Sequence, residues 1–198
     1  GNKISKIEEK DIKIYENLQF LDISKNEISA LDFLPRLKKL TTFLGFSNFI
    51  ETAEFINKCP VLQIVDLSAN KINSVSLKSP TNSIKYLDLS DNSIKNIGFG
   101  NSMPSLDTLI INSNYVSDIS GIQTFPKLQK LQISKNHIVD FAPLNFTTLT
   151  SLDISYNNIT NINCFSQFKN LVSLNLSGNH ITDQGLRVES SLLKLVSL

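Results

Sequence analysis

Apolar residues recur along this chain in one fixed arrangement, LxxLxLxxN, in which three apolar positions alternate with polar ones and an asparagine closes the unit. The first copy is Leu18, Leu21, Ile23 and Asn26. Further copies start at Leu62, Ile84, Leu106, Leu128, Leu149 and Leu171 and close on Asn70, Asn92, Asn114, Asn136, Asn157 and Asn179. Successive starts lie 22 residues apart, except for the step of 21 from Leu128 to Leu149. Stepping back from Leu62 places a weaker copy at Leu40, Phe43, Gly45 and Asn48, and stepping forward from Leu171 places an opening one at Leu193, Val196 and Leu198. Beyond each asparagine comes another apolar pair: Ile28/Leu31, Ile50/Ala53, Ile72/Val75, Ile94/Ile97, Val116/Ile119, Ile138/Phe141 and Ile159/Ile162. Self-similarity at a period of 20 to 50 residues is the signature of a stacked repeat protein.

Within each copy, alternation such as Leu87-x-Leu89 predicts a short strand with one face buried and one exposed. One unit cannot bury its own apolar set, so neighbours stack and each strand pairs in parallel with the next. The turn that follows would leave backbone groups without partners. An asparagine side chain carries both donor and acceptor, so Asn26, Asn48, Asn70, Asn92, Asn114, Asn136, Asn157 and Asn179 are expected to form a structural ladder that satisfies them. The returning arm has only about a dozen residues. Pro60, Pro104 and Pro126 share one column of it, two residues before the next first leucine. Proline lacks an amide hydrogen and restrains the residue before it, so short 3₁₀ and extended pieces are expected, with one helical turn within residues 51–58.

The unit LxxLxLxxNxIxxI at a 22-residue step resembles the leucine-rich-repeat family along essentially the whole chain. The short repeat is similar to the class found in a phosphatase-regulating subunit and in internalins, and Asp118-Ile119…Ile122 and Asp140-Phe141…Leu144 carry that class's flavour. The resemblance implies an α/β leucine-rich-repeat solenoid: curved, with one parallel sheet on the concave face and short segments on the convex face. It also implies that a partner lies against the outward strand positions. A single solenoid over 1–198 is expected, about eight full repeats with partial ones at both ends. Asn2, Ile4 and Ile7 look like the tail of an earlier repeat, and no polar capping unit is evident at either end, so a segment of a larger protein is expected.

Outward positions fall into three columns. The first is Phe20, Thr42, Ile64, Tyr86, Thr108, Lys130, Ser151, Ser173; the central one is Asp22, Leu44, Asp66, Asp88, Ile110, Gln132, Asp153, Asn175. The third is Ser24, Phe46, Ser68, Ser90, Asn112, Ser134, Ser155, Ser177. Serines and aspartates at these places fit a solvated pleat. The departures are Phe20, Leu44, Phe46, Ile64, Tyr86 and Ile110, which cluster on the first five strands. An exposed apolar patch on a protein that carries aromatic anchors marks an interface, and Asp22, Asp66 and Asp88 would border it and favour a basic partner surface. Two alternatives stand beside this: Phe20 and its neighbours cover a missing cap, or Gly45 marks a register shift that turns Leu44 or Phe46 inward.

Composition adds mainly exclusions. With 19 basic and 18 acidic residues, the formal charge is +1, too small a field to point to nucleic acid. No apolar run approaches the roughly 18–20 residues of a membrane span, and no metal or cofactor motif occurs. Cys59 and Cys164 sit five repeats apart, roughly 24 Å at strand spacing, too far to bridge. His137 and His180 are two repeats apart and lack a third ligand, so they do not make a zinc site. Neither GxSxG, a phosphate loop nor HExxH is present, and an open sheet offers no desolvated cleft, so no catalysis and no small-molecule substrate are expected. Three Asn-x-Ser/Thr sequons, at Asn145, Asn158 and Asn175, are no more than this composition produces by chance. The functional expectation is a non-catalytic scaffold that binds a protein on the concave face in the cytoplasm. The alternatives are a surface or secreted adhesin or receptor ectodomain, and a regulatory subunit of an enzyme such as a protein phosphatase.

Overall fold

A computed structural model describes residues 1–12, 14–34, 37–139, 147–161 and 168–182. Eight three-residue strands form one parallel sheet in strict chain order. They are β1 (Phe20–Asp22), β2 (Thr42–Leu44), β3 (Ile64–Asp66), β4 (Tyr86–Asp88), β5 (Thr108–Ile110), β6 (Lys130–Gln132), β7 (Ser151–Asp153) and β8 (Ser173–Asn175). Register is constant across the sheet: Phe20 pairs with Thr42, Thr42 with Ile64, Ile64 with Tyr86 and Tyr86 with Thr108. The same position aligns through Lys130, Ser151 and Ser173. This is a parallel-strand solenoid, as the 22-residue period requires.

The core is the stack of repeat positions. The middle residues Phe43, Val65, Leu87, Leu109 and Leu131 are fully buried, and so are Leu67, Leu89, Ile111 and Ile133 two residues on. Behind the asparagines, Ile28, Ile72, Ile94, Val116, Ile138 and Ile159 close the same core from the other side of the turn. Each apolar column is therefore continuous through the stack, which is how units too small to fold alone share one interior.

The turn after each strand places its residue before the asparagine at positive φ. Lys25, Ser47, Ala69, Asp91, Ser113, Lys135 and Tyr156 lie between 51° and 56°, and only the last turn uses glycine, Gly178 at 68°. The left-handed region costs a residue with a Cβ about 1–2 kcal/mol, so the solenoid holds this conformation seven times against local preference. Side chains of the ladder hold it. In the Asn92 repeat, the Ile72 amide donates to Asn92 Oδ1 (2.8 Å). Asn92 Nδ2 in turn lies 3.0 Å from each of the Leu67, Leu89 and Ser90 carbonyls. Asn48, Asn114, Asn136 and Asn157 repeat this four-bond set. Asn70 makes it too, receiving the Ile50 amide. At the ends, Asn26 and Asn179 each receive an amide and donate to two carbonyls.

On the convex arm, 3₁₀ helices run over Glu54–Lys58, Gly100–Ser102 and Ser120–Thr124. The helical turn expected within 51–58 is thus the tighter 3₁₀ form. The single α-helical turn among the described residues lies elsewhere, at Glu9–Ile12 (α1), where Ile12 docks into the core. Asn2 and Ile4 behave as the tail of a repeat. The Asn2 amide donates to the Lys25 carbonyl, the Ile4 amide to Asn26 Oδ1, and the Glu27 amide to the Ile4 carbonyl. Those last two bonds are the ones Ile28 makes with Asn48 and Phe49 one repeat on. Cys59 is a buried free thiol. Phe141, Cys164, Ile162, Asn145 and Leu193, Val196 and Leu198 lie outside the described residues.

Candidate functional site

Because the sheet keeps one register, its outward columns are real rows on one face. Along the first row, Phe20 is 55% exposed and Ile64 41%, with Thr42, Tyr86 and Thr108 half-buried. Along the central row, Asp22 is exposed and Leu44, Asp66, Asp88 and Ile110 are half-buried. Phe46, in the third row, is also half-buried. Leu44 and Phe46 face outward: Leu44 pairs with Asp22 and Asp66 in normal register, while Gly45 between them takes the buried position. The glycine marks no register shift.

Asp66 and Asp88 are strand neighbours, and apolar residues surround them. Leu44 lies on the β2 side, Ile110 on the β5 side, and Ile64 and Tyr86 two residues earlier on the carboxylates' own strands. Phe20 and Asp22 stand at the margin on β1, where Asp22 pairs with Leu44. Phe46 lies just beyond Leu44, with the Lys25 ammonium 5.6 Å from its ring centroid.

The carboxylates are not merely solvated. The Ser68 amide (2.9 Å) and hydroxyl (2.7 Å) both donate to Asp66 Oδ1. The Ser90 amide donates to Asp88 Oδ1 (2.9 Å), and the Ser24 amide to Asp22 Oδ1 (2.8 Å). Asp153 and Asn175 cap their turns in the same way. This Asx turn, in which a side-chain oxygen takes the place of a carbonyl, was missed in the sequence. Its signal was the recurring Asp-x-Ser pair at the strand end.

Burial pushes the Asp88 carboxyl above the usual carboxylate range despite the Ser90 amide, and the charges of Asp66 and Asp91 push the same way. Burial also raises the Tyr86 hydroxyl, helped by Asp88 and Asp66. Among the described residues, ion pairs form only where Lys6 and Lys10 meet Glu8. No carboxylate of the sheet has a cationic partner there.

A second set of exposed rings runs along the edge where the strands turn. Phe49 lies under the Lys71 ammonium at 4.6 Å, and Tyr115 and His137 approach at 5.7 Å between centroids. Tyr156 packs against Gly178. The sequence columns stopped short of this edge. No group of three or more histidine, cysteine or acidic side chains that could hold a metal occurs among the described residues. No described helix is long and apolar enough to cross a membrane.

Comparison with known proteins agrees with this architecture. Models of the "Leucine rich repeat" and "Leucine Rich repeats (2 copies)" families match residues 126–181 and residues 82–124 and 104–146. No curated protein sequence matches. Among solved structures, internalin C2 of Listeria monocytogenes is 25% identical with a TM-score of 0.80, covering 96% of this chain and 80% of its own. The TLR13–ssRNA13 complex is 26% identical with a TM-score of 0.81, covering 95% and 29%. The APL1 leucine-rich-repeat domain, at 24% identity and a TM-score of 0.74, shares the fold over 91% of this chain and 48% of its own. The chain thus spans most of the internalin C2 chain but under half of the other two. By repeat pattern, stacked fold and family match together, the chain belongs to the leucine-rich-repeat family.

Proposed function

We propose that this solenoid is a non-catalytic interaction module that holds a protein against its concave sheet, centred on Leu44, Phe46, Ile64, Tyr86 and Ile110. Phe20 and Asp22 extend the surface to β1. One observation carries the reading. At outward positions where other repeats place polar or charged residues, the first five strands place large apolar side chains on one continuous face. Aromatic and aliphatic groups at such places supply the anchors of protein interfaces.

Charge favours protein over nucleic acid, although TLR13 is seen in complex with ssRNA13. The outward positions hold four carboxylates (Asp22, Asp66, Asp88 and Asp153) and one cation, Lys130. A phosphate backbone would be repelled there. The likeness to internalin C2 supports a second setting, a surface or secreted adhesin or receptor ectodomain, in place of a cytoplasmic scaffold. The same face would do the work in either.

The test is affinity capture with the wild type, with Phe46→Ala/Tyr86→Ala, and with a convex-arm control, Lys78→Ala. A partner kept by the control and lost by the double variant supports the reading. Equal capture by all three refutes it.

A further inference from the structure

The concave reading leaves open what chemistry the face selects, and the arrangement around Asp66 and Asp88 narrows it. Their strands pair in register, so the two Cα atoms stand about 4.8 Å apart along the sheet. Oδ1 of each carboxylate accepts an amide from the turn that follows, and the Ser68 hydroxyl adds a second bond at Asp66. Both are therefore fixed acceptors, not swinging side chains. Apolar groups border them on three sides: Leu44, Ile64, Tyr86 and Ile110. Two like charges in a partly desolvated frame raise each other's energy, and an incoming cation removes that cost.

We propose that this frame receives a lysine or arginine side chain of the partner protein, with its charged head between Asp66 and Asp88 and its alkyl stem along Tyr86 and Ile64. Long cationic side chains suit such a site because they carry an apolar stem beneath a charged head. A purely apolar anchor would bury both carboxylates unpaired, and an acidic one would add a third like charge. The proposal rests on the concave-face reading and specifies its partner chemistry as a basic segment.

The conservative variants are Asp66→Asn and Asp88→Asn. The turn keeps its acceptor in both, because Asn175 accepts the Ser177 amide and hydroxyl at the equivalent place. A random-sequence peptide library is selected on the immobilised wild-type chain. Peptides whose binding is lost with Tyr86→Ala are kept and sequenced. The expected result is enrichment in lysine or arginine next to apolar residues. Binding should weaken roughly ten- to hundredfold in the Asp66→Asn/Asp88→Asn chain, the range of a charge-assisted hydrogen bond, and added salt should weaken binding to the wild type more than to this variant.

Tyr86-dependent peptides that lack cations and bind the double Asn variant as tightly would overturn the proposal and leave the concave reading standing. A selection that yields no Tyr86-dependent peptide would sink both.

Discussion

The Phe43 ring fills the space that a side chain at position 45 would occupy. A methyl group placed on Gly45 would stand 2.8 Å from Phe43 Cε1, 2.9 Å from its Cζ and 3.3 Å from Ile50 Cδ1. Other repeats put leucine or valine at the first position and leucine or isoleucine at the second, as in Val65 and Leu67. This repeat exchanges the volumes, and Phe43 also meets the Phe55 ring edge-on at 5.3 Å. The two positions should therefore be strongly coupled. Phe43→Leu alone opens a cavity and Gly45→Leu alone overpacks, each costing about 1–3 kcal/mol. The double variant should recover at least about 1 kcal/mol relative to the sum, measured by urea unfolding.

The left-handed turns give a prediction with opposite signs at two equivalent places. Ala69 sits at φ 51° and Gly178 at φ 68°. Ala69→Gly should stabilise the chain by about 0.5–1 kcal/mol, since relief of a strained Cβ outweighs the added freedom of the unfolded chain. Gly178→Ala should destabilise it, both through φ and because the added Cβ would meet the Tyr156 ring at 2.6 Å. Thermal or urea denaturation of the pair is decisive.

Asn92→Ala removes one acceptor and one doubly donating amide from a buried turn, leaving the Ile72 amide without its partner. Each buried polar group left unsatisfied costs about 1–3 kcal/mol, so a loss of at least about 3 kcal/mol is expected. Amide hydrogen exchange at Ile72 should speed up in the variant before global unfolding does.

Asp88 should lower the stability of the unbound chain at neutral pH. Burial raises its folded-state pKa above the unfolded value, so the folded state binds its proton more tightly. Its penalty is therefore absent below the unfolded pKa of about 3.9 and grows as pH rises through the folded value. Asp88→Asn should be more stable than wild type at pH 7 and match it near pH 3. Equal difference curves across that range would remove the electrostatic account of this residue.

The Cys59 thiol is pushed up to about 11 by burial, against the opposing pull of Lys38 and Lys58. Thiolate is the reactive form. In a Cys164→Ser background, Cys59 should resist a thiol reagent at pH 8 and react fully once denaturant unfolds the chain.

The fold was legible because the 22-residue step repeats the same burial at the same places, so register, ladder and outward rows all follow from counting. Individual exchanges were not. Gly45 was open to a register shift as long as Phe43 could not be seen to fill its place. The positive-φ turns gave no signal, since Lys25, Ser47, Ala69 and Tyr156 share no chemistry and the ladder side chains impose the conformation. The α-helical turn at Glu9–Ile12 was hidden behind charged residues, and only its buried Ile12 ties it to the core. The apolar patch was legible as a departure from repeat chemistry. The fixed, partly buried state of Asp66 and Asp88 needed neighbours on two strands, which a one-dimensional pattern does not reveal.

Every conclusion about the concave face requires that Asp66 and Asp88 occupy matching positions on adjacent strands, side by side and outward. A cysteine pair measures this directly, in a background with Cys59→Ala and Cys164→Ser. Asp66→Cys/Asp88→Cys should oxidise readily to a disulfide within one chain, because Cα atoms about 4.8 Å apart fall inside the bonding range. Asp66→Cys/Ser90→Cys, displaced two residues along the strand to about 7–8 Å, should not. Closure of the displaced pair in preference to the aligned one would contradict the register and the binding surface drawn from it.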